Sequence, residues 1–436
     1  MGKMKVLIIT DEVWNDSIHG NNVLSNWFEG FNAELAEIYC SPGQPLNKCC
    51  KIYFQITDMM MFKSLFSGEK AGVELILDDY STTNFAASAE QEHKKLYTFL
   101  KSITTESLRA LREFFWLYGK YDKDKLRKFI EQFNPDIIFC PRMASSKILR
   151  LERIVEEIAN KPIVAFTGDD EYSLSQLRLS PVYWLRRFKL RSNLRKNMKL
   201  YSLYYTHSEE QGDEYRKIYK MRTKTLFKCS DFSPNVMTKV INEPIKLIYA
   251  GKLYCNRWKS LVEIVKALKK INEDETKMIL EIYTKDKLTK QQKKLLDDEK
   301  NSFMKGPVSS EALKEIYRHA DIALHVESFD LKNRLLTKYS FSTKIIDCLS
   351  SSCAVMAICW NRHAGYIYLS KEDAAFCVDS YEKIGVTLQR ICDKPELINE
   401  YAKKAAECVM RNHKREVVQQ NMYNDFNEII TKKRNR

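Results

Sequence analysis

The alternation of short apolar runs with amphipathic stretches in the second half of the chain restricts the fold more than any other sequence feature. The run IKLIYAG at 245–251 predicts a strand, and apolar side chains then recur on one helical face from Leu261 to Ile271. Further strands alternate with helices and are predicted at 278–284, 321–326 and 353–358. Because strands separated by helices pair in parallel, this half predicts a doubly wound α/β domain.

The first half of the chain shows a weaker form of the same pattern. KVLIIT at 5–10 predicts a first strand, and the apolar runs PDIIFC and KPIVAFTGDD each follow a helical stretch. The 436 residues are enough for two such domains of about 200 residues each. The predicted fold class is therefore α/β, with two Rossmann-like doubly wound domains facing a central cleft.

The domain boundary is predicted in the polar segment CSDFSPNVMTKVINEP at 229–244. We assign 1–235 to the first domain and 245–415 to the second. Residues 416–436 are predicted to form a C-terminal helix and basic tail that can return to the first domain.

Neither a membrane span nor a disulfide framework is expected. Every apolar run is interrupted by charge well before the roughly 20 residues that a transmembrane helix needs. The twelve cysteines are scattered, and the adjacent Cys49 and Cys50 match no metal-ligand spacing. We therefore expect a cytoplasmic protein with reduced cysteines and no structural metal.

A formal net charge of +14 predicts an anionic partner. The densest basic segment, 178–199, holds eight Lys or Arg and no acid, and three of its arginines, Arg187, Arg191 and Arg195, recur at four-residue spacing. Two interpretations are open. A basic aromatic helix here can rest on anionic lipid at the inner face of the membrane, or its arginines are solvated or paired within the protein.

Candidate site residues follow the predicted strands, since ligands of parallel α/β sheets bind beyond the carboxyl ends of the strands. Gly251 allows a close approach of the backbone, and Lys252 and Arg257 are placed to neutralise a diphosphate. Glu327 ends the strand at 321–326. These residues predict a site for a phosphorylated ligand with a carboxylate beside it.

The segment SFSTKIIDCL supplies a second set of candidates. Ser340 or Ser342 can cap a helix whose first turn contains Thr343 and Lys344, which offers a hydroxyl and an ammonium to a phosphate. Asp347, in the next turn, can accept hydrogen bonds from ribose hydroxyls.

Two weaker candidates lie in the first half. Asp169 and Asp170 follow the strand KPIVAFT, and one of them can orient an acceptor hydroxyl; Asp169 is the residue we select. Gly20 lies in a loop that opens a helix and can bring the backbone close to a ligand.

Taken in order, YAGKL, the helix that begins near Arg257, FMKGPVSSEALKEIYRHADIALHVES and SFSTKIIDCLSSSCAVMAI resemble the C-terminal domain of GT-B glycosyltransferases, family 4-like. The resemblance covers about 245–380. It implies retaining transfer of a hexose from a nucleotide-sugar, with no required metal or other cofactor, in bacterial surface-polysaccharide synthesis. The acceptor implied is a saccharide or a lipid-linked saccharide.

The resemblance also implies roles for individual residues. Lys252 and Arg257 would hold the diphosphate, Ser342, Thr343 and Lys344 would cap it, Asp347 would bind ribose and Glu327 would contact the sugar. The chain departs from the family pattern at Asp347, where the family has a glutamate nearer to the first one, and at Ser352 and Ala354, where it has Gly and Pro.

Two alternatives stay open from the sequence. A nucleotide-sugar epimerase of the same fold would keep the donor site and need no acceptor. A non-catalytic nucleic-acid-binding protein would use the positive charge and show a steep salt dependence of binding. We expect no nucleic-acid partner, because only the positive charge suggests one.

Overall fold

The structure is a computed structural model that describes residues 2–17, 23–77, 106–141, 145–230 and 239–434. The chain folds as two compact units. The first consists of the described residues of Met1–Ser173, Arg178–Leu226 and Gln419–Arg436, and the second of Leu174–Leu177 and the described residues of Phe227–Val418. The chain thus passes into the second unit at Phe227, and its C-terminal helix belongs mostly to the first.

The first unit is built on an eight-stranded sheet in the order β4-β3-β2-β1-β5-β6-β7-β8. Its strands are β1 (Met4–Thr10), β2 (Ala33–Tyr39), β3 (Ile52–Gln55), β4 (Val73–Ile76), β5 (Ile137–Pro141), β6 (Ile163–Thr167), β7 (Tyr201–Thr206) and β8 (Thr223–Thr225). All neighbouring strands are parallel except β4, which runs antiparallel to β3 at the edge.

Helices of the first unit connect these strands. They are α1 (Val23–Phe28), α2 (Asp58–Lys63), α3 (Glu106–Tyr118), α4 (Lys123–Phe133), α5 (Ser146–Ala159), α6 (Pro181–Asn197) and α7 (Glu209–Tyr219). Serines at the N-caps of three of them, Ser145, Ser180 and Ser208, accept hydrogen bonds from backbone N–H groups in the first turn. These caps fix where each helix starts after its strand or loop.

The second unit is built on a six-stranded parallel sheet in the order β11-β10-β9-β12-β13-β14. Its strands are β9 (Ile245–Ala250), β10 (Met278–Tyr283), β11 (Ser302–Gly306), β12 (Ile322–Val326), β13 (Ala354–Ile358) and β14 (Phe376–Val378). Its helices are α8 (Arg257–Ile271), α9 (Lys290–Leu296), α10 (Ser310–Arg318), α11 (Leu331–Thr337), α12 (Thr343–Leu349), α13 (Ala364–Lys371), α14 (Glu382–Asp393) and α15 (Glu396–Asn412).

The strands of the second sheet are nearly continuous apolar runs because both faces of the sheet are covered by helices. Every residue of β12 and β13 is buried, and the apolar face of α8 packs through Leu261, Ile264 and Leu268. The order of the strands reverses between β9 and β12, which is where ligands of such sheets bind.

The C-terminal helix α16 (Arg415–Arg434) attaches its later turns to the first unit. The Tyr205 hydroxyl donates a hydrogen bond to Asp425 at 2.7 Å, and the ring of Phe426 packs on Phe139. Gln419 donates to the carbonyl oxygen of Trp27 at 2.8 Å. The sequence-based prediction of two doubly wound α/β domains is confirmed, with the antiparallel edge strand β4 as the one difference among the described strands.

In the part of the chain that the structure describes, none of the helices combines the length and the apolar character that crossing a membrane requires.

Candidate functional site

Two lysines of the second unit lie near the carboxyl end of β9, Lys344 through a direct contact and Lys252 through its place in the chain. The Lys344 ammonium donates to the carbonyl oxygen of Ala250 at 3.1 Å. It occupies this position because residue 251 is a glycine: a Cβ atom there would lie 2.3 Å from the Lys344 nitrogen and 2.9 Å from the hydroxyl of Tyr249. Lys252, the next residue, is exposed. Gly251 therefore brings the ends of β9 and α12 together.

The charges of these two lysines are poorly compensated by the protein. Burial, together with the charge of Arg257, lowers the pKa of Lys344 to about 8. Among the residues that the structure describes, no carboxylate lies within ion-pair distance of Lys252 or Lys344. The end of β9 thus carries positive charge that an anionic ligand can neutralise.

Beside the lysines lies a buried ion pair between Arg257 and Glu327. Arg257 is the first residue of α8 and Glu327 directly follows β12, and their exposed fractions are 7% and 2%. The guanidinium donates from Nε to Oε2 at 3.0 Å and from Nη2 to Oε1. Burial alone would raise the pKa of Glu327, but the charge of Arg257 outweighs it and holds that pKa below its usual value.

Neighbouring residues fix this pair in place. The Ser260 hydroxyl donates to the Glu327 carbonyl oxygen at 2.7 Å, and the Tyr254 ring lies under the guanidinium with 4.5 Å between its centroid and the Arg257 Cζ. The turn before α8 is held by a hydrogen bond from Asn256 to Asp330 at 2.6 Å. The pair is consequently a rigid part of the site.

The pairing differs from the separate roles that the sequence indicates for Arg257 and Glu327. Both carboxylate oxygens of Glu327 accept from Arg257, and only the Nη1 group of Arg257 lies outside this pair. The physical reason is burial, because a carboxylate at a closed strand end is retained as a charge only with a paired cation.

The helix α12 begins as the sequence predicts, with Ser342 at its N-cap and Thr343 and Lys344 in the first turn. The Ser342 side chain makes no capping hydrogen bond. Asp347, one turn later, lies 3.9 Å from the Lys228 nitrogen. Lys228 is a neighbour that sequence reasoning missed, since it lies far from Asp347 in the chain and in no recognisable motif.

In the first unit, the two acids after β6 have different surroundings. Asp170 accepts from the backbone N–H groups of Tyr172 and Ser173 and from the guanidinium of Arg187. Asp169 is exposed, yet partial loss of hydration and the charge of Asp170 raise its pKa. Of the two acids, only Asp170 thus has a cationic partner among the described residues, which is Arg187.

The arginine stripe of α6 contacts the protein itself. Arg187 donates to the carbonyl oxygen of Ser173 at 2.9 Å, and Arg195 donates to the hydroxyl of Tyr172 at 2.7 Å. The Arg191 guanidinium stacks on the ring of Tyr172 with 3.8 Å to the centroid. The segment 170–173 thus supplies partners for all three arginines, as in the second of the two interpretations, and docking on lipid stays a prediction.

No family model matches the chain, and no curated protein matches it. Solved structures match along nearly its whole length. HepE of Anabaena, in complex with UDP, has 12% identity and a TM-score of 0.60 over 98% of this chain and 100% of its own. Sucrose-phosphate synthase of Thermosynechococcus elongatus has 12% identity and a TM-score of 0.59 over 98% of this chain and 100% of its own. A trehalose-6-phosphate protein of E. coli, bound with UDP-2-fluoro glucose, has 11% identity and a TM-score of 0.61 over 97% of this chain and 98% of its own.

The chain has the GT-B fold. At this level of identity the likeness extends to the fold alone, so the GT-B comparison assigns no role to a particular side chain.

Within the GT-B chain, the structure brings together five of the predicted site residues at the strand ends of the second unit: Gly251, Lys252, Arg257, Glu327 and Lys344. Ser342, Thr343 and Asp347 lie on the same helix as Lys344 or at its N-cap. Asp169 belongs to the other unit, and Gly20 lies outside the described residues.

Proposed function

We propose that the protein transfers a hexose from a nucleotide-sugar donor to a saccharide or lipid-linked saccharide acceptor, in the synthesis of a surface polysaccharide. The observation that carries the proposal is the contact of Lys344 with the end of β9 beside Gly251, where Lys252 is the next residue of the chain. Two cations without a carboxylate partner among the described residues, at the point where the strand order reverses, are suited to a diphosphate.

UDP-sugars are the first donors to test. The GT-B structures of HepE and of the E. coli protein were obtained with UDP and UDP-2-fluoro glucose, respectively. We propose that the diphosphate lies between Lys252 and Lys344 and that the Nη1 group of Arg257 also faces it. In this arrangement Ser342 and Thr343 cap the phosphates and Asp347 binds the ribose.

The proposed chemistry needs fixed positive charge at the leaving group. When the bond from the sugar to the diphosphate breaks, negative charge develops on the phosphate oxygens, and cations already held there stabilise the transition state more than the ground state. Lys252 and Lys344 take this role, so transfer requires no metal ion. The Glu327 carboxylate, oriented by Arg257, contacts the sugar, and Asp169 orients the acceptor hydroxyl.

Product analysis tests the reaction class. The protein is incubated with UDP-glucose or another UDP-hexose and a panel of saccharides, and released UDP and the new glycoside are measured. We expect a glycoside with the anomeric configuration of the donor, formed at the same rate with and without added Mg²⁺ or Mn²⁺. Free epimerised donor without any glycoside would identify an epimerase, and no turnover of any nucleotide-sugar would overturn the proposal.

We also propose that the protein docks on anionic membranes through 178–199, by an apolar face rather than by the arginine stripe. Leu179, Val182, Leu185 and Phe188 are exposed, with fractions of at least 50%. Exposed basic residues flank them, among them Arg178 and Lys196. A patch of large apolar side chains rimmed by positive charge suits the interface of an acidic bilayer.

Vesicle binding tests this docking. We expect sedimentation with phosphatidylglycerol vesicles and much weaker sedimentation with phosphatidylcholine. The double variant Leu185→Gln, Phe188→Gln should lose most of the binding, whereas Val386→Gln, which removes an equally exposed apolar side chain from α14, should lose none. Equal binding by the double variant and the control would show that this face is not the docking surface.

A further inference from the structure

Three side chains with metal-binding groups are buried together in the second unit. His325 is the fourth residue of β12, Cys359 directly follows β13, and His363 is the N-cap residue of α13. One nitrogen or sulfur atom from each lies within 4.8 Å of the others. All three residues are almost inaccessible, with exposed fractions of 4% or less.

The fold brings these residues together through two local features. Strands β12 and β13 are parallel neighbours, and His325 is opposite Ala357, two residues before Cys359. The turn after β13 is closed by a hydrogen bond from the His363 N–H to the Trp360 carbonyl oxygen at 2.9 Å. This turn returns His363 to Cys359 at a Cys-x-x-x-His spacing.

The protein does not supply hydrogen-bond partners for all the imidazole nitrogens of His325 and His363. The Nε2 atoms of both His325 and His363 are buried and have no hydrogen-bond partner among the described residues. Buried polar atoms of folded proteins are nearly always paired, so two orphaned nitrogens beside a thiol need an explanation. The ring centroids are 6.0 Å apart, and the two rings do not hydrogen-bond to each other.

We infer that His325, Cys359 and His363 bind one zinc ion. One thiolate and two neutral imidazoles are ligands that Zn²⁺ prefers, and tetrahedral bonds of normal length place such ligand atoms about 3.3 to 3.6 Å apart. The three atoms therefore approach one another by little more than an ångström when the ion binds. A water molecule completes the tetrahedron.

Binding changes the protonation of two ligands. The Cys359 thiol releases its proton to solvent as the Zn–S bond forms. The Nδ1 atom of His363 accepts from the Gly365 N–H at 3.1 Å, so in the metal-free chain the ring proton is on Nε2. Coordination through Nε2 moves that proton to Nδ1 and breaks one capping hydrogen bond, a small loss compared with three metal–ligand bonds.

The ion would take no part in the proposed transfer. It ties the end of β12, two residues before Glu327, to the turn that precedes α13. The nearby charge of Arg257 does not oppose it strongly, because Glu327 neutralises that charge. Lys252 and Lys344, which we assign to the diphosphate, supply none of its ligands.

Metal content and cobalt spectroscopy of the full chain test this site. The protein is purified with a thiol reductant and without chelator, and its zinc content is measured. Metal-free protein is then titrated with Co²⁺ without oxygen. We expect about one zinc per chain, and with one equivalent of Co²⁺ the intense visible bands of a tetrahedral site and a thiolate-to-cobalt charge-transfer band.

The Cys359→Ser variant should lose the bound zinc, and with Co²⁺ it should lose the thiolate-to-cobalt charge-transfer band. Cys353→Ser is the matched control, because Cys353 is equally buried and has other partners: its thiol donates to backbone oxygens such as that of Tyr317, and its sulfur accepts from Lys239. Zinc far below one equivalent in the wild type overturns the inference whether or not the variant folds. An unchanged cobalt spectrum in Cys359→Ser overturns it as well. Sugar transfer without bound zinc leaves the proposed function standing, so the two proposals fail separately.

Discussion

Two regions of the molecule are rich in cationic side chains, and they differ in what the cationic groups contact. In α6, the guanidinium groups of Arg187, Arg191 and Arg195 are held by residues 170–173. At the strand ends of the second unit, Arg257 is paired with Glu327, but Lys252 and Lys344 have no carboxylate within ion-pair distance among the described residues. The three α6 arginines already have hydrogen-bond or stacking partners within the protein. The strand ends of the second unit are therefore the better guide to a site for a phosphorylated ligand.

The largest effect on the free energy of unfolding is expected when the carboxylate of the buried Arg257–Glu327 pair is removed. Glu327→Ala leaves the Arg257 guanidinium buried without a counter-charge, which should lower the free energy of unfolding by about 3 to 5 kcal/mol. Urea denaturation measures this loss. Replacing Arg257 and Glu327 together by Met should recover most of it, since no unpaired charge is then buried.

An exposed pair serves as the control for this prediction. Glu263→Ala removes the partner of Lys266 on the outside of α8, and the change should stay within about 1 kcal/mol. Equal losses for Glu327→Ala and Glu263→Ala would contradict the description of the Arg257–Glu327 pair as buried.

A smaller effect is expected when the α6 stripe is neutralised. Arg187→Gln removes the donor to Ser173 and the positive charge next to Asp170, and it should lower the free energy of unfolding by about 2 kcal/mol. UDP affinity should not change. The exposed Lys196→Gln on the same helix should change neither quantity, and a loss of UDP affinity in Arg187→Gln alone would remove the distinction between the two regions.

The smallest effect is a pH dependence of donor binding. Because the pKa of Lys344 is about 8, the cationic form that binds phosphate falls about tenfold between pH 7 and pH 9. UDP affinity should decrease as pH rises through this range by up to that factor. In Lys344→Arg the affinity should be flat, because guanidinium stays charged. A flat profile in the wild type would show that Lys344 does not contact the diphosphate.

The sequence alone predicts the second unit well for a physical reason. The strands at 245–251 and 321–326 are covered on both faces, so they appear as nearly continuous apolar runs. Their ends locate Lys252 and Glu327 without knowledge of the packing. The first unit is harder to predict, because short strands such as β3 and β4 are partly exposed and resemble loops.

The pairings within the sites could not be predicted. Arg257 and Glu327 are 70 positions apart, and spacing along the chain does not show which carboxylate a cation meets. The direction of the α6 arginines is likewise set by the segment 170–173 and not by their own spacing. The Cys359-x-x-x-His363 spacing was visible in the sequence, but only the parallel pairing of β12 and β13 brings His325 to it.

The most direct test of the account is calorimetric titration of UDP into the wild type, Lys252→Ala and the matched control Lys290→Ala, an exposed lysine on α9. The account predicts saturable one-to-one binding to the wild type and the control. It predicts a dissociation constant raised roughly tenfold or more in Lys252→Ala, the effect of losing one charge-assisted contact. Equal affinities in all three proteins, or no binding of UDP or any nucleotide-sugar to the wild type, would contradict it.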